Sequence, residues 1–157
     1  LLYVPNDASG PSPAFLGLNF NGNHSVHGDD AILKRGTSGK RGAYSGRWQL
    51  ETLIKRGYAL ATVHRDQIDP DNYRNDFSDG IHPLFYKKNK VVPESGQWGS
   101  IGAWAWGLSR VLDWLETEAL VDASRVAVIG HSRLGKTALW AGAQERRFAM
   151  VVSNDSG

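Results

Sequence analysis

The run Arg125-Val-Ala-Val-Ile129 is short and apolar, with no polar alternation after its first residue. That pattern belongs to a strand buried on both faces. Such a strand needs helices on either side, which confines the chain to an α/β architecture with a mostly parallel sheet. The segment after it supplies one covering element: a turn and then a helix over about Arg133–Gln144.

The rest of the chain repeats this alternation. Ala14–Phe20 follows a Pro-Ser-Pro turn and reads as a strand, while the polar, glycine-rich stretch from Asn21 to Arg47 reads as loop. Leu50, Leu53 and Ile54 share a face of a short helix over Trp48–Arg56, which Gly57 ends. Tyr58–His64 is the next strand, and Asp66–Glu94 is a long excursion of the length that in compact domains is functional or unstructured. Trp98–Thr117 is the clearest helix, with Ile101, Trp104, Leu108, Val111, Leu112 and Leu115 along one stripe. Phe148–Val152 is the last strand. A parallel sheet with helices on both faces follows, and in such sheets sites form at the carboxyl ends of the strands.

Composition narrows the chemistry. The 157 residues fit one domain, and 41% hydrophobic against 22% charged residues is a globular balance. No apolar run approaches the roughly 20 residues of a membrane helix, and no signal-peptide pattern opens the chain. A net charge of +2 gives little support to a nucleic-acid partner. Cysteine is absent, which excludes disulfides, a thiolate nucleophile and cysteine-bound zinc. The single methionine is Met150, and the chain starts inside the strand-like Leu-Leu-Tyr-Val and stops just after a strand. It is therefore expected to be a piece of a larger protein.

Chemistry concentrates in Gly130-His-Ser-Arg-Leu-Gly-Lys-Thr137, between the buried strand and its helix. Two readings compete. Gly130, Gly135, Lys136 and Thr137 satisfy G-x-x-x-x-G-K-[ST], the phosphate-binding loop of nucleotide hydrolases. In the other reading Ser132 sits on a nucleophile elbow, with Gly130 relieving the tight turn and the Arg133 amide facing the oxyanion. The match to G-x-S-x-G is imperfect, since Leu134 takes the last glycine position. Chain position favours the elbow: phosphate loops usually follow the first strand, whereas at least three strands precede this one. The side chains of residues 131–134 are also bulky for a loop that wraps phosphate.

Residues 130–144 resemble the nucleophile segment of the glucuronoyl esterases, an α/β-hydrolase family of carbohydrate esterases. Phe15-Leu-Gly-Leu-Asn-Phe-Asn-Gly-Asn-His24, Trp98–Glu116 and Ser153-Asn-Asp-Ser-Gly157 are similar to its bacterial members. The resemblance implies a partial α/β-hydrolase catalytic domain over residues 1–157. It also implies a serine esterase acting on esters of 4-O-methyl-glucuronic acid in xylan–lignin linkages, with no metal or cofactor. The resemblance likewise implies a secreted or periplasmic location. A catalytically inactive hydrolase-like binding module is the remaining alternative.

Within that resemblance Ser132 is the nucleophile, Arg133 stabilises the oxyanion, and Lys136, one helical turn on, binds glucuronate hydroxyls. Asp155, at the carboxyl end of the next strand, is a candidate triad acid, although the family usually carries glutamate or a later acid. The order serine, acid, histidine puts the general base after Asp155, yet His24, His27, His64, His82 and His131 all precede or adjoin Ser132. The base is thus expected beyond Gly157, and the 157-residue piece is expected to be inactive. His24 is read as a polar loop residue and Asn21–His24 as a pocket wall. Asp69, Asp71, Asp76 and Asp79 read as solvated loop, since Tyr73 breaks the calcium-loop pattern. Trp104, Trp106 and Trp114 are read as core.

Overall fold

The structure, a computed structural model, describes residues 1–71, 77–86 and 94–157. Its sheet has five strands in the order β1-β3-β2-β4-β5. β1 (Leu2–Tyr3) pairs antiparallel with β3 (Ala59–His64). β2 (Ser12–Asn19), β3, β4 (Val121–His131) and β5 (Met150–Asn154) are mutually parallel. Leu16 of β2 lies level with Ala61 of β3 and Val128 of β4, so the central strands are in step. The β2–β4 register shifts between Ser12 and Ala14, where Pro13 has no amide to give to the ladder.

Strand periodicity sorts the side chains into two layers. Ala14, Leu16, Ala59, Ala61, Val126 and Val128 face α4 (Ser100–Leu115) and α5 (Arg133–Gln144), whose Trp104, Leu108, Leu112, Leu134 and Ala138 complete the main core. Phe15 and Leu60 face the other way, onto Trp48 of α1 (Ser45–Trp48) and Leu50, Leu53 and Ile54 of α2 (Leu50–Lys55). Helices on both faces, as the apolar strand required, are what the chain builds. β5 is an edge of the sheet, and its Met150 is 58% exposed.

Several expectations shift. The single helix over Trp48–Arg56 is two, because Gln49 takes a left-handed conformation (φ 48°) between α1 and α2. Its end is as read: Gly57, at φ 82°, gives its amide to Ile54 O (2.9 Å) while the Tyr58 amide reaches Leu53 O (3.0 Å). That paired reversal closes the last turn. The loop over Asn21–Arg47 contains a 3-10 turn at Asn23–Ser25 and the start of α1. β4 is longer than Arg125–Ile129 and β5 begins later than Phe148, since strand ends follow the partner's hydrogen bonds rather than hydropathy. Of the three tryptophans assigned to the core, Trp104 is buried but Trp106 and Trp114 are 40% and 45% exposed. They lie on the helix face turned from the sheet.

The acidic stretch is not a solvated loop throughout. Asp69 is buried and lies 2.8 Å from Nδ1 of His82, the first residue of α3 (His82–Phe85). The His82 ring stacks on Trp98 at 4.8 Å and meets Phe77 and Tyr86 edge-on or tilted. Asp76 and Tyr73 lie outside the described residues. His24, read as a polar loop residue, is fully buried, with Nδ1 3.0 Å from Thr37 Oγ1. None of the helices among the described residues is long and apolar enough to cross a membrane.

Candidate active site

At the carboxyl end of β4 the chain turns sharply into α5. Ser132, at the corner, has φ 56° and ψ −127°, a conformation that costs an L-residue about 1–3 kcal/mol. Three main-chain bonds hold it there: the Ser132 amide donates to Asn154 O (3.0 Å), and Ser132 O accepts from the amides of Gly135 (2.8 Å) and Lys136 (3.1 Å). Gly130 is required by the same turn. A Cβ at that position would stand 1.9 Å from the carbonyl oxygen of Leu134.

Ser132 precedes α5, yet its hydroxyl does not cap the helix. Among the described residues the hydroxyl makes no hydrogen bond, and the side chain is half-buried at the top of the sheet. An N-capping role is thereby excluded for it. The Arg133 and Leu134 amides open the helix that Ser132 precedes, at positions whose donors have no intrahelical acceptor.

These bonds also decide against phosphate binding. A phosphate loop needs its amides turned into an empty cradle, whereas those of Ser132, Gly135 and Lys136 are already bonded to the main chain. Thr137, the residue that would hold magnesium, is fully buried and donates to Arg133 O at 3.0 Å. Lys136 is exposed, and its ammonium extends toward Gly157. No part of the segment is arranged as a nucleotide site.

The other expected residues gather at the same end. β5 runs beside β4, pairing Ser153 with Gly130 and Asn154 with His131. Asp155 follows immediately, exposed and left-handed at φ 50°. A bond of 2.7 Å between the hydroxyls of Ser153 and Ser156 closes the turn that carries it. The Asp155 carboxylate makes no hydrogen bond with Ser132. The Arg133 guanidinium lies 5.8 Å over the Phe20 ring and donates to the carboxylate of Asp71. Phe20 lies in the Phe15–His24 stretch, where the sequence assigns it no role, and the one local signal for Asp71 is the turn-forming Asp69-Pro70-Asp71.

A cleft of about 690 Å³ opens beside the elbow. Asn19, Phe20, Asn21, Gly130, His131 and Asn154 line it together with the apolar Phe15, Trp48 and Leu53. The expected wall at Asn21–His24 is thus present through Asn21, while His24 points into the core. All five histidines are engaged elsewhere. His24 meets Thr37, His27 lies 3.8 Å from Glu51, and His64 is 3.2 Å from Phe20 O. His82 is paired with Asp69, and His131 contacts Asn154 at 3.3 Å. None hydrogen-bonds to the Ser132 side chain.

The sequence profile described as glucuronyl esterase, fungi, matches residues 39–157, taking in the elbow and both flanking strands. The chain belongs to the glucuronyl esterase family. Among curated relatives it is 47% identical to carbohydrate esterase MZ0003, from an unknown prokaryotic organism, over all of this chain and 40% of that protein. It is 34% identical to the 4-O-methyl-glucuronoyl methylesterase of Phanerochaete carnosa, over 88% of this chain and 34% of that one. A solved glucuronoyl esterase from Solibacter usitatus superposes with a TM-score of 0.91 at 46% identity, covering 99% of this chain and 42% of that one. The chain therefore spans between about a third and two fifths of the length of these family members. The α/β-hydrolase fold that the resemblance implied is the one they share, and nothing in these matches supports the phosphate-loop reading.

Proposed function

We propose that the protein is a serine esterase cleaving esters of 4-O-methyl-glucuronic acid, the type that joins glucuronoxylan to lignin alcohols. The observation that carries this reading is Ser132: strained at a strand-to-helix corner, with a hydroxyl that neither caps the helix nor bonds elsewhere among the described residues. The substrate class is supported by the 4-O-methyl-glucuronoyl methylesterase relative.

The chemistry follows from the corner. A general base takes the Ser132 proton as Oγ attacks the ester carbonyl, and the carbonyl oxygen becomes an oxyanion. Amides of the first turn of α5 and the Arg133 guanidinium stabilise that charge, which exists only along the reaction path. Collapse expels the alcohol with a proton from the base and leaves the glucuronoyl group on Oγ. Water then attacks the acyl-enzyme and frees the acid. Lys136 holds ring hydroxyls, and Asp155 orients the base. The base is assigned to none of the chain's five histidines, a reading supported by the other partner each of them has. A polymeric substrate is too large to cross a membrane, which accords with a secreted or periplasmic enzyme.

A fluorophosphonate probe on the native full-length protein tests the assignment. A covalent adduct on Ser132, with loss of hydrolysis of a methyl glucuronate ester in Ser132→Ala, is the expected result. An unlabelled Ser132 would make the protein a hydrolase-like binding module instead.

A further inference from the structure

We propose that Asp71 is a positioning residue for Arg133, fixing the direction in which its guanidinium meets the oxyanion. The inference rests on the oxyanion role given to Arg133 above.

An arginine on the first turn of a surface helix is ordinarily mobile, and the Arg133 side chain is 53% exposed. A half-exposed guanidinium must be held before the reaction if its charge is to count in the transition state. Two groups hold it. The ring of Phe20, one residue beyond the end of β2, lies beneath it, and Oδ2 of Asp71 accepts from its Nη1.

Asp71 is itself anchored from below. Its main chain is left-handed at φ 48°, and its amide donates to Oδ2 of Asp69 at 3.3 Å. The other oxygen of Asp69 meets buried His82 at 2.8 Å, and the Asp69 carbonyl accepts from the indole of buried Trp104 at 2.8 Å. The path from the core to Arg133 is therefore Trp104 and His82, Asp69, Asp71, then the guanidinium. Arg65 stands on the other side of Asp71, with Nη1 3.5 Å from the same Oδ2, and is packed between the rings of Phe20 and Trp104. Without the carboxylate two guanidiniums would share the Phe20 ring with nothing between them, and the mobile one would swing away.

Two effects of removing Asp71 have opposite signs, which makes the idea testable. Losing a negative charge near the oxyanion would favour the transition state. Losing the direction of Arg133 would oppose it. We expect direction to dominate, because a misplacement of about 1 Å costs up to a hundredfold in rate.

The experiment is a double-mutant cycle on the native full-length enzyme with a methyl glucuronate ester, reading kcat and KM separately. In the Arg133 background Asp71→Ala is expected to lower kcat about tenfold with KM changed less than about twofold, and in the Arg133→Ala background to change kcat less than about twofold. Asp71→Asn, which keeps an acceptor oxygen, is expected to recover most of the loss. An unchanged or raised kcat in Asp71→Ala, or an equal loss in both backgrounds, overturns the proposal. Should Asp71→Ala not fold, Asp71→Ser replaces it in the same cycle under the same criteria. If Arg133→Ala alone costs nothing, it is the oxyanion role of Arg133 that falls, a failure distinct from Asp71→Ala being silent while Arg133→Ala is not.

Discussion

At the scale of the residue, the elbow exchanges stability for chemistry. Ser132 is held at φ 56° and ψ −127°, where glycine rests more easily than any L-residue. Ser132→Gly should therefore raise stability by about 1 kcal/mol while abolishing ester hydrolysis. A higher urea midpoint together with lost turnover is the expected pair of readings, and a lower midpoint would show that the turn is not strained. Gly130 is the converse case. Its missing side chain leaves room for the Leu134 carbonyl, and alanine there would overlap it at 1.9 Å. Gly130→Ala should cost about 3 kcal/mol and distort the oxyanion geometry, lowering both the melting temperature and kcat. The need for this glycine was legible in the sequence, since it depends on atoms only four residues away. The ties of Arg133 were not, since Asp71 lies 62 residues earlier in the chain.

At the scale of elements, Arg147 fastens α4 to the turn between α5 and β5. Its guanidinium reaches Glu145 at 2.6 Å, Asp113 at 2.7 Å and Glu116 at 2.9 Å. Chiefly through Arg147, and further through Ser109, the Glu145 carboxyl is pulled down to about 2 from its ordinary 4.5. A carboxyl with a lowered folded-state pKa contributes stability that is full above about 4.5 and is lost as the pH falls toward 2. Glu145→Gln should flatten the stability curve across that window and leave its slope near neutrality unchanged. Urea titrations between pH 2 and 6 would detect it, and an unaltered acid limb would remove Glu145 from the account. Within the core, Leu112 is fully buried between α4 and the sheet, so Leu112→Ala should cost about 2–5 kcal/mol, read from the same titrations. The Leu112 stripe was visible as helical periodicity. The break at Gln49 was not, because nothing in its local sequence demands a left-handed residue there.

At the scale of the whole molecule, the carboxyl ends of β2, β4 and β5 gather the proposed nucleophile, its neighbouring cation, the cleft and the candidate acid in one place, and none of the five histidines hydrogen-bonds to Ser132 there. The 157-residue chain alone should accordingly show no steady-state hydrolysis of a methyl glucuronate ester. Turnover that disappears in Ser132→Ala would place the base within it after all. The sequence by itself determined the alternation of apolar strands and amphipathic helices, the two-faced sheet and the strand-to-helix turn at residues 130–137, because each is written in side chains close together along the chain. It left two readings of residues 130–137 open on spacing alone, since G-x-x-x-x-G-K-T names residues and not where their amides point. Only the tertiary structure spent those amides on Asn154 and Ser132, buried Thr137, drew Asp69 and His82 into the core and set Asp71 against Arg133. Each of those outcomes joins residues distant in sequence or fixes a backbone direction, and hydrophobic periodicity encodes neither.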